Sequence, residues 1–262
     1  YLNLDQRTMS ILKSEITRIT NCFISDYDVL NTFNPKQEEL NFFGFEEVLK
    51  KGKIVVLNMN INEYSNLSKI IAAYLKLDFQ TDVMTRLANS KDNNFRSVCF
   101  ISDEYSEYCT ETDCNFFSQS REAKCINIVA SQSYTSLLNT LHDQSAVNVI
   151  IQNLINKLWF RSDDIFTIEN AQKQIGKEDK EKISRGISEN AKETVYSYFT
   201  NSLNSKNSNI SETITTTLQN DFVYDTNFFT RHLTNFHCLS FLSTGTEIIP
   251  PSELKLFPYF NN

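Results

Sequence analysis

Two acidic residues, Asp103 and Glu104, stand side by side directly after a short apolar run at residues 98–101. Four consecutive apolar residues are too few for an amphipathic helix face and are typical of a strand buried on both sides of a parallel sheet. Open α/β sheets bind ligands at the carboxyl ends of such strands. In enzymes that hydrolyse nucleotides, an aspartate there holds Mg²⁺ and a following glutamate activates water. The alternative is that Asp103 only caps the next segment and Glu104 is solvated.

A second mostly apolar run, at residues 125–130, is followed by Gln132 and preceded by Arg121. If the two runs are adjacent parallel strands, Gln132 lies at the same sheet edge as the acids, where its amide can bond a γ-phosphate or its water. Arg121 then lies at the opposite end of its strand. From there it could reach a neighbouring subunit's nucleotide in a ring, as an arginine finger does. The alternative is that Arg121 is an ordinary surface arginine.

The order V-C-F-I-S-D-E-Y, then R-E-A-K-C-I-N-I-V-A-S-Q, resembles the ATPase core of type IV secretion coupling proteins, the TraG and TraD group. The upstream G-K-I-V-V-L-N-M-N and the downstream I-G-K-E-D are similar to that family too, so the resemblance spans residues 45–186. It implies a Walker B pair in Asp103, which holds Mg²⁺ through water, and Glu104. It also implies a phosphate sensor in Gln132, a finger acting in trans in Arg121, and ATP as the nucleotide.

The same resemblance implies a setting for the protein. These coupling proteins deliver DNA or relaxase–DNA complexes to conjugation machines, work as homo-hexamers and contact other type IV secretion components. Their membrane helices precede the motor, so we expect this part to be cytoplasmic without membrane contact, and the full-length protein to be membrane-anchored. No run here approaches the roughly 18 apolar residues of a membrane span.

One departure from the family concerns the phosphate-binding loop, G-x-x-x-x-G-K-[ST], whose backbone amides and lysine cradle the phosphates. The chain has five glycines, and no two have that spacing. Gly52-Lys53 is followed by Ile54, and Gly176-Lys177 is followed by Glu178. We therefore expect the chain to be the carboxyl-terminal part of a longer protein, with the phosphate-binding half upstream, and to bind ATP weakly or not at all alone.

Composition limits the alternatives. A chain of 262 residues can bury a full core. The net charge of −7 argues against a broad basic surface for nucleic acid, although pore loops could still hold DNA. The six cysteines have no metal-ligand spacing and are interpreted as free thiols, two of which, Cys99 and Cys125, lie in predicted buried strands.

The elements that must position these residues alternate between strand and helix, which indicates an α/β fold with a parallel doubly wound sheet. The resemblance to coupling proteins implies that this fold is a RecA-like P-loop NTPase core, which lacks its Walker A portion here. Beyond the two runs above, the pattern predicts strands at 53–59, 157–161 and 238–243, and helices at 64–87, 134–141, 146–155, 165–174 and 221–233. Asp163 and Asp164 could cap the helix at 165–174, which Gly176 would end.

Four regions follow from this pattern. Residues 1–44 are a helical lead-in or the end of an upstream subdomain, and 45–189 form the ATPase core with the Walker B strand. Residues 190–220, rich in Asn, Ser and Thr, are a polar insertion, either a flexible loop or a poorly packed helix. Residues 221–262 hold the last helix and strand and an irregular tail.

Two other functions stay open. The chain could be a non-catalytic interaction module that recognises a relaxosome or an accessory protein, because it lacks the phosphate loop. It could also belong to another hexameric RecA-type translocase, although such motors space the arginine and glutamine differently.

Overall fold

A computed structural model describes residues 5–89, 96–189, 194–197, 202–205 and 210–259. They fall into two compact units, Tyr1–Ile155 and Asn156–Asn262. The helices are α1 (Gln6–Ile24), α2 (Tyr27–Phe33), α3 (Phe45–Lys51), α4 (Ile61–Tyr64), α5 (Asn66–Asn89), α6 (Thr112–Gln119), α7 (Tyr134–Leu141), α8 (Gln144–Asn153) and α9 (Ile165–Ile175). The strands are β1 (Val98–Ser102), β2 (Cys125–Val129), β3 (Lys157–Trp159), β4 (Lys177–Glu189), β5 (Thr194–Ser197), β6 (Ser202–Ser205), β7 (Ile210–Phe222), β8 (His237–Ser243) and β9 (Ile248–Lys255).

The first unit contains a parallel pair of strands, β1 and β2, joined by a crossover that includes α6. The register runs from Val98 opposite Cys125 to Ser102 opposite Val129. Phe100 of β1 stacks on Phe79 of α5, with ring centroids 5.6 Å apart. One face of the pair therefore packs on the helices, and the predicted parallel α/β arrangement is confirmed for these two strands.

The other face of this pair differs from the prediction of burial on both sides. Ile101 is 72% exposed, and Cys99, Ile126 and Ile128 are exposed too. The register pairs Cys99 with Ile126 and Ile101 with Ile128, so all four side chains share one face. The described helices cover only the opposite face, where the side chains of Val98, Phe100 and Cys125 contact the core. The expectation of a buried Cys99 is therefore wrong, whereas that of a buried Cys125 is confirmed.

The strand predicted at residues 53–59 is also absent from the described structure. The segment follows the left-handed cap Gly52 of α3 and has no ladder partner among the described strands, and Ile54 is 91% exposed. A β-branched run fits a strand by propensity, but a strand also needs hydrogen-bonding partners for its backbone. The β-branched composition of residues 53–59 therefore predicted a strand, but none of the described strands pairs with this segment.

Helices of the first unit follow local sequence signals closely. The long helix predicted at 64–87 is α5, and the helix predicted at 134–141 is α7 with the same bounds. A short helix, α2, lies in the lead-in, where Asp26 accepts hydrogen bonds from the amides of Asp28 and Val29. Among the described residues, no helix combines the length and the apolar character that crossing a bilayer requires.

The second unit is built on an antiparallel sheet in the order β3-β8-β9. The core beside it joins Ile168 and Ala171 of α9 to Phe229, Leu233 and Leu239. The predicted strands at 157–161 and 238–243 are confirmed as β3 and β8, but they pair with each other antiparallel. Of the tail predicted to be irregular, at residues 253–262, only the first three residues belong to a strand, β9, which also contains Pro250 and Pro251. Prolines are tolerated there because β9 is an edge strand.

A long antiparallel ribbon, β4 with β7, also belongs to the second unit. The prediction of a loop or poorly packed helix at 190–220 is therefore wrong for the part that forms β5, β6 and β7. Residues 190–193, 198–201 and 206–209 lie outside the described residues. The helix expected at 221–233 is reduced to a short π-helical turn, Phe228–His232, because β7 extends to Phe222. The boundaries proposed at residues 44, 189 and 220 stay predictions.

Candidate active site

The two acids form a short projection at the carboxyl end of β1. Backbone hydrogen bonds to a single residue of the neighbouring chain segment, Ala130, flank this projection. The Ala130 amide donates to the Ser102 carbonyl at 2.8 Å, and the Tyr105 amide donates to the Ala130 carbonyl at 2.9 Å. Asp103 and Glu104 thus lie between two fixed points, with Asp103 exposed and Glu104 half-buried.

Glu104 adopts a left-handed backbone conformation, with φ 48° and ψ 39°. A residue with a Cβ pays about 1–2 kcal/mol for this conformation. The Asp103 carboxylate accepts a hydrogen bond from the Glu104 amide at 2.9 Å, which offsets part of that cost. Residues held in such conformations cluster at functional sites, because there the surroundings fix a side chain in a direction that ordinary backbone does not allow.

Gln132 meets Glu104 at this edge of the sheet. Its side-chain amide nitrogen lies 3.3 and 3.2 Å from the two carboxylate oxygens of Glu104 and donates to them. Gln132 is exposed and follows β2 by three residues, so its side chain can also reach solvent or a ligand. The structure therefore brings together three of the four residues that the sequence singled out, Asp103, Glu104 and Gln132.

The fourth residue, Arg121, lies apart from this group. It is exposed in the turn that precedes β2, at the amino-terminal end of the strand, where its carbonyl accepts a hydrogen bond from the Lys124 amide at 3.0 Å. Gln132 follows the other end of the same strand. This is the separation that the sequence predicted, and it excludes direct contact of Arg121 with Glu104 within one chain.

Two residues that the sequence did not single out support the projection from below. The Tyr108 hydroxyl donates to the Asp103 carbonyl at 2.8 Å, and the Ser102 hydroxyl lies 2.5 Å from the Tyr108 oxygen. Because the Tyr108 proton is used by the carbonyl, Ser102 is the donor in the second bond. Burial raises the pKa of Tyr108, so this hydroxyl stays protonated and able to donate. No motif or periodicity in the sequence marks either contact.

Tyr105 directly follows the acids, and for that reason it is the aromatic residue that the sequence predicts near the site. Its side chain is fully buried, and its hydroxyl donates to Asp113 at 2.6 Å. Burial, aided by the negative charge of Asp113, raises the pKa of Tyr105. Tyr105 therefore faces the core beneath the acids and does not line the open side of the site.

The residues present suit a hard divalent cation better than they suit a phosphate. Carboxylate oxygens such as those of Asp103 and Glu104 are the ligands that Mg²⁺ prefers, and Mg²⁺ usually takes only one or two of them besides water and substrate phosphates. Among the described residues, no group of three or more His, Cys, Asp or Glu side chains is arranged to hold a metal. A Mg²⁺ ion held by Asp103 or Glu104 would therefore take its remaining ligands from water or from a substrate.

Comparison with known proteins supports the fold. No family model matches the chain, and no curated protein matches it in sequence. The chain is similar in structure to a bacterial conjugative coupling protein, TrwBdeltaN70, solved in an unbound monoclinic form. The likeness has a TM-score of 0.53 at 11% sequence identity and covers 82% of this chain and 44% of that one. The protein therefore has a fold like that of a conjugative coupling protein and spans less than half of that chain's length.

Proposed function

We propose that this chain supplies the acidic half of an ATP-hydrolysing translocation motor that resembles conjugative coupling proteins and delivers substrate into a type IV secretion system. Its core would be a RecA-like P-loop NTPase domain with a parallel doubly wound sheet, completed by a phosphate-binding loop elsewhere in a longer protein. The observation that carries the proposal is the approach of the Gln132 amide to the Glu104 carboxylate at the carboxyl ends of two parallel strands.

Each residue has a distinct role in this proposal. Asp103 would hold Mg²⁺, and the ion would supply charge neutralisation when it is bound with ATP. Glu104 accepts a proton from the attacking water while the water oxygen bonds to the γ-phosphorus and the bond to the β–γ bridging oxygen breaks. Gln132 orients Glu104 and senses the γ-phosphate. The products are ADP and inorganic phosphate.

Arg121 acts in trans in this proposal. It lies at the end of β2 remote from Gln132, so it stabilises charge in the next subunit of a homo-hexamer and not in its own. The partners would be DNA or a relaxase–DNA complex, together with type IV secretion components. The motor part would face the cytoplasm, with the full-length protein anchored in the membrane.

The experiment that tests the proposal measures ATP turnover by the full-length protein and by its Glu104→Gln variant. We expect a loss of about 100-fold or more, because a general base contributes roughly 10²- to 10⁴-fold. When Arg121→Ala subunits are mixed into parent rings, ATP turnover should fall by more than the fraction of variant subunits. Turnover that is unchanged by Glu104→Gln contradicts the proposal.

A second candidate function, an interaction module for a relaxosome or accessory protein, is favoured by the ribbon. Four large aliphatic side chains lie exposed on one face of β4 and β7, namely Ile183, Ile187, Ile214 and Leu218. An isolated two-stranded ribbon is marginally stable in water, so a partner that covers this face would stabilise it. If Leu218→Asp abolishes binding of purified relaxase while Thr215→Asp, on the opposite face, does not, this candidate is supported.

A further inference from the structure

A buried ionic cluster lies beneath the acidic projection. At its centre is the carboxylate of Asp113, on α6, which is fully buried. One oxygen accepts from Lys76 at 2.5 Å, from the Tyr105 hydroxyl at 2.6 Å and from the Thr110 amide at 2.9 Å. The other accepts from the side-chain amide of Gln80 at 2.8 Å. The carboxylate is thus satisfied by donors from α5 and from the loop that follows Glu104.

Lys76 is satisfied just as completely. Its ammonium group donates to Asp113, to the Tyr108 carbonyl at 2.9 Å and to the Thr110 hydroxyl at 3.0 Å, which uses all three of its protons. Burial lowers the pKa of Lys76, and the charge of Asp113 opposes that shift. The Lys76 side chain is only 2% exposed, so the charge pair is removed from water.

Such a pair is a poor device for stability alone. Removing two charges from water costs several kcal/mol per ion, and well-packed apolar residues of similar volume are often at least as stable. The pair instead fixes the orientation of its two side chains, because four donors bind the Asp113 carboxylate and three acceptors bind the Lys76 ammonium group.

The cluster is connected to the projection through two tyrosines. Tyr105 directly follows Glu104, is anchored by its hydroxyl on Asp113, and donates its amide to the Ala130 carbonyl. The Tyr108 carbonyl accepts a hydrogen bond from Lys76, and the Tyr108 hydroxyl donates to the Asp103 carbonyl. Both neighbours of the left-handed Glu104 are therefore linked to the buried pair: Tyr105 through its own hydroxyl, and Asp103 through Tyr108, whose backbone carbonyl binds Lys76.

We propose that Lys76, Asp113 and Tyr105 are positioning residues, which hold Glu104 in its left-handed conformation with its carboxylate beside Gln132. This inference rests on the proposed role of Glu104 in ATP hydrolysis. The cluster is buried, and it acts only by restricting the backbone at Glu104. Loosening it should lower the rate of the chemical step and leave nucleotide binding unchanged.

The test uses Tyr105→Phe in the full-length protein, because this variant keeps the buried ring and three of the four donors to Asp113. Tyr134→Phe is the matched control: Tyr134 is another buried tyrosine, and its hydroxyl donates to Asn148 at 2.9 Å in the same unit. Three quantities are measured: the exchange rate of the backbone amide at position 105, and the kcat and KM for ATP.

For Tyr105→Phe we expect amide exchange about 10-fold faster and kcat about 10-fold lower, since a hydrogen bond to a charged group is worth roughly that factor. The KM for ATP should stay within about twofold of the parent value, because the lost interaction affects the chemical step and not the binding of ATP. Tyr134→Phe should match the parent in all three. If either the exchange rate or kcat of Tyr105→Phe stays at the parent value, the inference is wrong.

Glu104→Gln, measured beside these variants, separates the two proposals. If it abolishes turnover while Tyr105→Phe has parent kcat, the proposed function stands and the positioning inference fails. If it leaves turnover unchanged, the proposed function fails and the positioning inference falls with it, whatever the amide exchange shows.

Discussion

The side-chain amide of Gln132 donates to both carboxylate oxygens of Glu104, at 3.3 and 3.2 Å, although 28 positions separate the two residues. The parallel pairing of β1 with β2 produces this contact, because it brings the carboxyl ends of the two strands to one edge. The two hydrogen bonds hold both carboxylate oxygens of Glu104 in a fixed orientation. In the proposed motor, Gln132 is the group through which a bound nucleotide would act on Glu104.

We expect Gln132→Ala to lower kcat for ATP hydrolysis by the full-length protein by about 10- to 100-fold. The variant leaves Glu104 in place but removes the donor that orients it, and loss of one oriented donor at a reacting centre costs up to about 10²- to 10³-fold. Steady-state turnover at saturating ATP measures the effect.

Ser131→Ala is the control for this prediction, because Ser131 is the exposed neighbour of Gln132 and its hydroxyl donates only to the nearby Ser133 carbonyl, at 3.4 Å. Its turnover should equal that of the parent. An equal loss in both variants would mean that the loop, and not the amide, is responsible.

Removal of the cation from the buried pair should destabilise the first unit strongly. In Lys76→Met the Asp113 carboxylate stays buried without its partner, and such a change costs about 3–5 kcal/mol. Addition of Asp113→Asn to this variant removes the uncompensated charge and should restore part of the free energy of unfolding. Urea unfolding followed by far-ultraviolet circular dichroism measures both steps of the comparison.

Lys50→Met is the matched control for Lys76→Met. Lys50 pairs with Glu46 at 2.6 Å, nearly the same distance, but both side chains are exposed and solvent screens the interaction. We expect no measurable change in unfolding. If Lys76→Met unfolds at the same urea concentration as Lys50→Met, the buried pair has no structural role.

Local signals in the sequence predicted local structure well. The bounds of α7 follow from its apolar spacing, and the helix α9 begins after Asp164 and ends before Gly176 as its capping residues indicate. The shared edge of Glu104 and Gln132 was predicted as well, because it needs only two adjacent parallel strands. The functional roles of these residues stay predictions.

Features that depend on distant partners could not be predicted. Lys76 and Asp113 are 37 positions apart, and neither belongs to a motif, so only the folded chain shows that they meet. The segment at 53–59 has the composition of a strand, but composition does not provide a pairing partner. Pro250 and Pro251 predict a break in regular structure, yet they lie within β9. The strand tolerates them because it is an edge strand of the described sheet.

In the second unit, Asp164→Ala should lower the free energy of unfolding by about 1 kcal/mol, the usual effect of losing a helix N-cap. Asp164 accepts from the Thr167 amide at 3.0 Å and from the Thr167 hydroxyl at 2.6 Å. The only tryptophan, Trp159, packs against the same core as α9, so its fluorescence reports on this unit. Asp163→Ala, one position earlier, is the control and should leave the fluorescence transition where it is in the parent.

Alkaline pH should weaken the first unit through the thiol of Cys125. Burial raises the pKa of Cys125 from 9.0 to about 12, with Arg86 opposing the shift. Below pH 9 the thiol is protonated in both states and its contribution is fully present. Above pH 9 the unfolded thiol ionises first, so the unfolded state binds fewer protons and stability falls, by up to about 1.4 kcal/mol for each pH unit until pH 12.

Urea unfolding under reducing conditions at pH 8 and at pH 10.5, followed by far-ultraviolet circular dichroism, measures this loss. Cys125→Ala removes the ionisable group and should show a smaller loss between the two pH values than the parent does. Cys99→Ala is the control, because Cys99 lies on the neighbouring strand with an exposed side chain and contributes less than burial does to the raised pKa of Cys125; it should retain most of the parent's pH dependence. An identical loss in Cys125→Ala and the parent would assign the alkaline effect to other groups, such as the buried Tyr105.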